Sequence, residues 1–446
     1  MDKKKLAIAA LLCLGCGAVP VNAASEDGSL SLRIANVSIE GLKKWKKEQI
    51  LALVPALKED TVDAKLLSRQ IRLVNDAGAV EIFADFQEIS VDTYNVVLHV
   101  AEKKAAQATL EVNNSGNRYT GEARLSLTGV HKNLTGHSDA LSVAYVTSPG
   151  HWNDVKQAAV GYRILLPDAA DSMAFYYTYS DVNLGQIANF GGMGIEATGR
   201  GSTYGVHYQK NFVNSTARRQ MVDVGFDRKN YKNAQNYSYF STPFFRNGTD
   251  FDVTTLSLTY MDTVRSKNNA FSYSVGIVGN MDNQGEKYRA YRANSDPHYL
   301  LWTAGLNYQH RTDSDWLFGI RAHGQYTQSS VVTTEQLGAG GMYSVRGFKE
   351  RVLSGDKGFV GSLEIYTPAI AKHHRFVLFS DFARLLNTNP GYGELRNESI
   401  ASVGVGYRLF DLNGLSITLD YAAAVKEPSH SADYKRPWHI RVQQTF

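Results

Sequence analysis

Alternation of apolar and polar residues over most of the chain is the feature that most restricts its fold. From about Ala105 to Phe446, runs such as 255–260 (TLSLTY) change polarity at every residue. A period of two indicates strands that turn one face toward an apolar medium and the other toward water. The sixteen candidate strands lie near 105–113, 118–130, 137–147, 155–166, 172–182, 202–212, 218–230, 253–264, 269–281, 299–312, 315–327, 357–367, 375–384, 400–409, 414–424 and 436–446.

The connections between these strands alternate in length. Short turns lie near 167–169, 265–268, 313–314 and 411–414, and long polar loops lie near 183–201, 231–252, 282–298, 328–356, 385–399 and 425–435. Short periplasmic turns and long external loops are typical of bacterial outer-membrane barrels, and an even strand number brings both ends of the barrel to one side. We therefore predict a transmembrane β-barrel of 16 antiparallel strands over 105–446.

The first residues predict export from the cytoplasm. Three lysines at 3–5 precede an apolar run over 6–19 and small residues at 21–24, which is the pattern of a secretory signal peptide over 1–23. Cys13 and Cys16 lie inside this segment, and neither follows the Leu-small-small triplet of a lipoprotein signal, which leaves lipidation as the minor alternative. The predicted mature chain from about Ala24 has no cysteine for disulfides, nucleophilic thiolates or metal sites.

Composition agrees with a barrel and argues against several function classes. The chain has 25 Tyr, 38 Gly and 10 Pro, and barrels place amphipathic aromatic residues at both membrane interfaces. A secreted soluble β-protein is the alternative on composition alone. The net charge is +4 without a basic stripe, so we expect no nucleic acid partner. No cofactor site, catalytic carboxylate spacing or G-x-S-x-G motif is visible, so we do not expect an enzyme.

The segment 24–104 predicts a small α+β domain before the barrel. An alternating run over 32–39 is followed by helical spacing over 48–54 and 63–76, then by two strands over 80–89 and 94–100. We expect Asp60 or Thr61 to cap the second helix and Gly78 to end it. The order β-α-α-β-β provides enough residues for a small core.

The end of the chain resembles an assembly signal of outer-membrane barrels. Trp438, Ile440, Val442 and Phe446 share one parity, and the chain closes on the aromatic Phe446. The alternative is an ordinary C-terminal edge strand. With the export signal and the strand count, the alternation favours recognition of Phe446 by the barrel-assembly machinery.

The long loop near 328–356 carries an arginine that calls for a partner. Arg346 lies within the run 343–349 (YSVRGFK), deep inside the loop, and Asp381 is a candidate carboxylate downstream. A guanidinium confined in a lumen needs a carboxylate, and a bidentate pair fixes the orientation of the loop. The alternative is two lumen charges that face water and contribute little.

An ordered set of motifs resembles a known family. The runs 335–337, 340–341, 344–348 and 354–358 look like the loop signature of two-partner-secretion transporters, the hemolysin secretion/activation branch of the Omp85 superfamily. The stretches 113–121 and 133–139 are similar to the first hairpins of that family, and the unit 24–104 looks like a POTRA domain. The resemblance covers nearly the whole predicted mature chain.

This resemblance implies a fold and a set of site residues. It implies that the sixth external loop, which is the long loop near 328–356, folds back into the pore, where its arginine meets an aspartate of an F-x-D motif on strand 13. Here these residues are Arg346 and Asp381, and the motifs around them contribute Val345, Gly347, Phe348 and Phe379. The family pattern often has glycine where this chain has Ala383. About eight residues separate the predicted cleavage site from Leu32, so we expect a single POTRA domain and no plug helix.

The resemblance also implies a function, which is export of a large β-rich exoprotein of the hemolysin or adhesin type. We expect the POTRA edge strand over 80–89 to bind the extended substrate by β-augmentation. The candidate residues of that edge are Val80, Ile82, Phe83, Phe86 and Ile89. Outer-membrane lipid and, during biogenesis, the barrel-assembly machinery are the other expected partners. The alternatives are an Omp85-type factor that inserts other barrels and a passive porin.

Overall fold

The computed structural model describes residues 31–446 except 118–119, 182–184, 191–192, 198–199, 216, 233–234, 240–241, 248–249, 392–393 and 430–433. The predicted signal peptide over 1–23 lies outside the described residues. Within them, no helix is both long and apolar enough to cross a membrane.

The N-terminal unit is a four-stranded sheet with two helices. Its elements are β1 (Ser31–Glu40), α1 (Lys47–Leu53), β2 (Thr61–Asp63), α2 (Ala64–Ala77), β3 (Val80–Ser90) and β4 (Thr93–Glu102). The sheet order is β2-β1-β4-β3, in which β1 and β4 are parallel and the other pairs antiparallel. Ile50 and Val74 of the helices are fully buried against Val96 and Leu98 of the sheet. The predicted element order is present, with β2 as an addition.

The helix α2 begins and ends at identifiable residues. The Asp63 carboxylate accepts a hydrogen bond from the N–H of Lys65 at 2.8 Å, and Gly78 has a φ of 74°, the left-handed conformation that ends many helices. The expected cap at Asp60 or Thr61 was wrong, because Thr61 already pairs with Arg33 in the strand β2.

The second unit is a closed barrel of sixteen antiparallel strands. The strands are β5 (Ala106–Asn113), β6 (Arg124–His131), β7 (Ala140–Thr147), β8 (Gln157–Leu166), β9 (Asp171–Asp181), β10 (Arg200–Asn214), β11 (Arg218–Tyr231), β12 (Phe251–Arg265), β13 (Asn269–Asn280), β14 (Leu300–Arg311), β15 (Leu317–Tyr326), β16 (Lys357–Tyr366), β17 (His374–Leu386), β18 (Asn397–Leu412), β19 (Leu415–Lys426) and β20 (Trp438–Thr445). Pairing of β20 with β5 closes the barrel, and this pair is called the seam. The predicted fold class is confirmed.

One strand begins later than expected. The candidate near 118–130 corresponds to β6, which starts at Arg124. Before it, the chain forms a tight reversal, since Gly116 N–H donates to Glu122 O at 3.0 Å and Asn117 N–H to Gly121 O at 2.9 Å. Gly121 has a φ of 87°, a backbone conformation that residues with a side chain rarely adopt. The alternation of polarity could not distinguish this reversal from a strand.

The alternation of polarity separates the lipid-facing surface from the lumen. Leu256 and Leu258 on β12 and Val403 and Val405 on β18 are exposed on the outer surface. Inward positions are mostly polar or small, as in a barrel that surrounds a wet lumen. The long loops leave one end of the barrel, called the loop end, and the short turns leave the other, called the turn end.

The N-terminal unit lies against the turn end. The Arg69 guanidinium on α2 donates to Asn211 O at 2.6 Å and to Ala169 O at 3.0 Å. The Gln49 amide on α1 donates to Gly136 O at 3.4 Å, and Leu165 of β8 belongs to the hydrophobic core of the unit. One surface of α2 is therefore occupied by the barrel rim.

Candidate functional site

Loop 6, residues 327–356 between β15 and β16, folds back into the lumen. Its two arms pair over Leu337–Ala339 and Leu353–Gly355. Val345 and Phe348 near its tip are fully buried against inward-facing residues of β17 and β18, among them Ile400. Burial of these two apolar side chains pulls the loop inward, because it removes them from water.

Arg346 is surrounded by carboxylates of the barrel wall. Its Nε donates to Asp381 Oδ2 at 2.7 Å and its Nη2 to Asp381 Oδ1 at 2.8 Å, while its backbone N–H donates to Oδ2 at 3.0 Å. Glu364 lies 2.8 Å away and Asp420 3.5 Å away. Arg346, Asp381, Glu364 and Asp420 are called the inner cluster. The guanidinium carbon also lies 3.5 Å from the centre of the Phe379 ring.

The inner cluster is buried, and two neighbouring arginines complete the balance of its charge. Arg346 is 3% exposed and Asp381 is 0% exposed. Burial alone would lower the pKa of Arg346, but hydrogen bonds to Asp381 and the charges of the three carboxylates raise it above its usual value. The two outlying carboxylates have second partners, since Arg408 binds Asp420 at 2.7 Å and Arg321 binds Glu364 at 3.3 Å. Three arginines thus neutralise three carboxylates.

The tip of loop 6 also contacts the last strand. Gly347 and Phe348 pair with Arg436 and Lys435 as a short antiparallel ladder. The Gly347 N–H donates to His439 Nε2 on β20 at 3.0 Å. A side chain at Gly347 would crowd Ala422. The residue also has a φ of 92°, so both the close contact and the backbone conformation favour glycine here.

Residues 92–409, well over half of the chain, match the family model described as haemolysin secretion/activation protein ShlB/FhaC/HecB. The chain belongs to this family. This membership confirms the resemblance to two-partner-secretion transporters of the Omp85 superfamily, and with the closed barrel it locates the chain in the bacterial outer membrane.

Curated relatives of this family member include heme/hemopexin transporter proteins HuxB from Haemophilus influenzae. One of them is 22% identical over 365 residues, which cover 79% of this chain and 62% of the relative, and another is 23% identical with the same coverage. The chain therefore spans 62% of the length of the curated relatives it matches.

Solved structures share the fold. CdiB from Escherichia coli has a TM-score of 0.75 at 16% identity and covers 93% of this chain and 76% of its own. CdiB from Acinetobacter baumannii has a TM-score of 0.70 at 18% identity, covering 94% and 74%. BamA from Haemophilus ducreyi lacking POTRA domains 1–3 has a TM-score of 0.60 at 15% identity, covering 93% and 85%.

A second buried arginine in this family member joins three loops at the loop end. Arg292 follows the helix α3 (Gly285–Tyr291) of loop 5, residues 281–299. It binds Asp356 at the base of loop 6 at 2.5 Å and Glu394 of loop 7, residues 387–396, at 2.8 Å. Arg292, Asp356 and Glu394 are called the outer cluster. Arg292 also donates to the carbonyl of Val331, at the other base of loop 6.

Loop 5 covers part of the barrel mouth beside the outer cluster. Tyr288 of α3 is fully buried against Phe251 of β12 and against Val331 and Val332 of loop 6. Glu335 of loop 6 accepts hydrogen bonds from Lys229 of β11 at 2.9 Å. Loops 5 and 6 therefore form one packed layer across the described part of the loop end.

The predicted edge strand of the N-terminal unit lies at the sheet edge, but its residues differ in access. Val80 and Ile82 are buried in the core and Phe86 packs against it, so these three side chains are structural, which corrects the expected contact set. Phe83 is 43% and Ile89 55% exposed. The sequence could not separate the two sets, because the buried face depends on where the helices pack.

Part of that edge is already occupied by Asn75 at the end of α2. The Asn75 amide donates to Ile82 O at 3.0 Å and accepts from Ile82 N–H at 2.7 Å. The amide thus takes the place of a neighbouring strand at Ile82. Because edge-facing backbone groups recur at every second residue, the next such groups are those of Ala84 and Phe86, which have no backbone partner on this edge within the described residues.

Several residues of these sites were missed by the sequence reasoning. Glu364 and Asp420 share the inward parity of Asp381, and strand registers were needed to place them beside Arg346. Asp356 lies within the motif 354–358, but no local sequence pattern links it to Arg292. Phe446, the predicted assembly signal, is 63% exposed on the outer surface, and its N–H donates to Ala108 O at 2.9 Å.

Proposed function

We propose that this chain is an outer-membrane pore that exports a large β-rich exoprotein of the hemolysin or adhesin type. The observation that carries the proposal is the inner cluster, in which a loop from outside the barrel is fixed inside the lumen by Arg346 and Asp381. Loop 6 is a segment separate from the paired wall strands, so its release can open the lumen while those strands stay paired.

We propose that the chain has three parts and that its N-terminal domain faces the periplasm. Residues 1–23 form a signal peptide, 24–104 a POTRA domain in the periplasm and 105–446 the barrel with its inward loop at 328–356. The position of the unit at the turn end supports this arrangement, because short turns are periplasmic in outer-membrane barrels. A substrate that arrives from the periplasm then meets the POTRA domain before the pore.

The open part of β3 is the proposed docking site for the extended substrate. The edge-facing backbone groups of Ala84 and Phe86 can hydrogen-bond an added strand, and Ile89 offers an exposed apolar contact. Asn75 blocks extension of that strand past Ile82 and so sets its register. Such main-chain recognition needs little sequence specificity, which suits a long substrate.

The pair of Arg346 and Asp381, called the loop lock, opens when the substrate replaces its contacts. While Arg346 is bound, removal of the tip would leave Asp381 buried without its cation, which costs roughly 3–5 kcal/mol. A translocating segment that fills the same part of the lumen can offset this cost through new contacts. Outer-membrane lipid surrounds the barrel, and recognition of Phe446 by the barrel-assembly machinery precedes the transport cycle.

The comparisons support export more than the alternative of a barrel-assembly factor. The family model is that of secretion/activation proteins, while the likeness to BamA concerns the fold. HuxB carries the name of a heme/hemopexin transporter, and a binding protein for a haem carrier is one kind of exoprotein that this chain could export.

Co-expression of the chain with an exoprotein encoded beside its gene tests the proposal. We expect the exoprotein in the medium only when the chain is present, with other outer-membrane barrels at normal levels. Loss of those barrels on deletion of the chain, without an exported partner, would establish the assembly function instead.

The docking site has its own test in the full chain. Ile89→Asp places a charge on the open edge and should lower secretion several-fold. Val91→Asp is the matched control, because Val91 is apolar and exposed but lies in the turn after the strand. Equal effects of the two variants on secretion would contradict docking at β3.

A further inference from the structure

The outer wall of the barrel has a groove at the foot of the seam. Ala108 of β5 lies opposite Gly129 of β6, which lies opposite Val143 of β7. On the other side, Phe446 follows β20 next to Ala108. Two small residues between two large ones on the lipid-facing parity leave a depression of about 440 Å³, called the seam groove.

The seam groove is bounded differently at its two ends. Toward the middle of the barrel wall, Leu110, Leu127 and Tyr145 form a row of exposed, bulky side chains. Toward the turn end, the groove is lined by His131 and Lys104. The groove is therefore apolar along its length and polar where the barrel surface leaves the membrane.

The polar end of the groove offers hydrogen-bond donors and a positive charge. Lys104 is exposed and forms no ion pair within the described residues, whereas its neighbour Lys103 binds Glu81 at 2.5 Å. The N–H of Asn133 donates to His131 Nδ1 at 3.4 Å, which leaves Nε2 as the ring nitrogen that can donate toward the groove. An ammonium group and an imidazole N–H at a membrane interface complement a phosphate group.

We propose that the seam groove binds one glycerophospholipid of the membrane leaflet at the turn end. One acyl chain lies over Ala108 and Gly129, between Phe446 and Val143, and the phosphate group contacts Lys104. The barrel surface is already in contact with lipid, so the groove needs only to select and retain a lipid from that layer.

The position of this lipid gives it a structural effect. The seam pairs over five residues, from Arg441↔Asn113 to Thr445↔Thr109, while β11 and β12 pair over fourteen. A lipid in the groove contacts Phe446 from the last strand and Ala108 from the first, and it reaches Lys104 between the N-terminal unit and the barrel. It therefore stabilises the strand pair of the barrel that has the fewest paired residues.

Native mass spectrometry of the purified full chain tests the site. Delipidated protein is titrated with phosphatidylglycerol, and we expect one tightly bound lipid. Ala108→Phe fills the groove and should weaken this binding at least tenfold. The control is Ala322→Phe on β15, because Ala322 is also exposed on the outer wall but lies away from the seam.

Two further measurements test the phosphate contact and the stabilising effect of the lipid separately. Lys104→Glu should weaken phosphatidylglycerol binding several-fold but leave binding of uncharged diacylglycerol unchanged. Phosphatidylglycerol should also raise the Tm of the wild type and not that of Ala108→Phe. Equal lipid binding by wild type and Ala108→Phe, or an equal loss in the Ala322 control, overturns the groove, and equal affinity for diacylglycerol overturns the phosphate contact.

Discussion

Arg346 and Arg292 are both buried, and they hold loop 6 in different ways. Arg346 connects the tip of the loop to the wall, through Asp381 on β17, Glu364 on β16 and Asp420 on β19. Arg292 connects loops to one another, through Asp356 and Glu394. The inner cluster fixes a loop to the barrel wall, while the outer cluster fixes loops to one another.

The carboxylates of the two clusters also depend differently on their arginine. Among the described residues, Asp381 accepts hydrogen bonds from Arg346 alone. Asp356 accepts from Arg292 and also from the N–H groups of Val331 at 3.1 Å and Thr388 at 2.9 Å, and from the Gln336 amide at 3.2 Å. Loss of the arginine therefore exposes Asp381 to a larger penalty than Asp356.

The largest expected effect is that of Arg346→Ala. Asp381 keeps only the N–H of residue 346, so the variant loses roughly 3–5 kcal/mol of tip attachment. We expect secretion of the exoprotein to fall at least tenfold while the barrel still assembles, measured by exoprotein in the medium and by heat-modifiable mobility of the barrel.

Arg311→Ala is the matched control for this variant. Arg311 is an arginine at the end of the barrel strand β14, and it is exposed at the turn end, 3.5 Å from Asp315. The control should secrete as the wild type does. Normal secretion by Arg346→Ala at matched expression would remove the inner cluster from the mechanism.

Arg292→Ala should have the second largest effect. The remaining donors to Asp356 keep the base of loop 6 in place, while loop 7 loses the bond from Arg292 to Glu394. We expect a higher single-channel conductance in planar bilayers, with secretion reduced by less than threefold. A loss of secretion as large as that of Arg346→Ala would show that the two clusters act as one.

The difference between the clusters also explains what the sequence could predict. The sixteen strands follow from a period of two, which is a local property that each strand shows separately. Arg346 and Asp381 were paired through motifs shared with a family, since no local rule joins residues 35 positions apart. Arg292 was missed because its contacts join loops, whose mutual positions depend on the closed barrel beneath them.

The burial pattern shows the same limit within the N-terminal unit. Alternation over 80–89 predicted the strand correctly, and the topology places it at the sheet edge. Which side chains face the core depends on the packing of α1 and α2, so Val80 and Ile82 were taken for contact residues. The Asn75 amide on the edge required the three-dimensional position of the helix end.

The smallest expected effect is a pH dependence that distinguishes the tip of loop 6 from the outer cluster. Burial in the lumen raises the pKa of Glu350, near the tip of loop 6, from 4.5 to about 7, although the Met342 N–H and Arg436 act against this rise. A docked tip then binds more protons than a released one between pH 4.5 and 7, so docking weakens as pH rises through this window.

The stability of the outer cluster depends on pH in the opposite direction. Burial would raise the pKa of Glu394, but the hydrogen bonds from Arg292 and Gly391 lower it below 4.5. The stabilisation that ionised Glu394 gives to the outer cluster is therefore complete above pH 4.5 and is lost only as pH falls further. We expect channel openings to become more frequent as pH rises from 5 to 7, by at least twofold, with Glu350→Gln independent of pH. A pH response that persists in Glu350→Gln would assign it to another group.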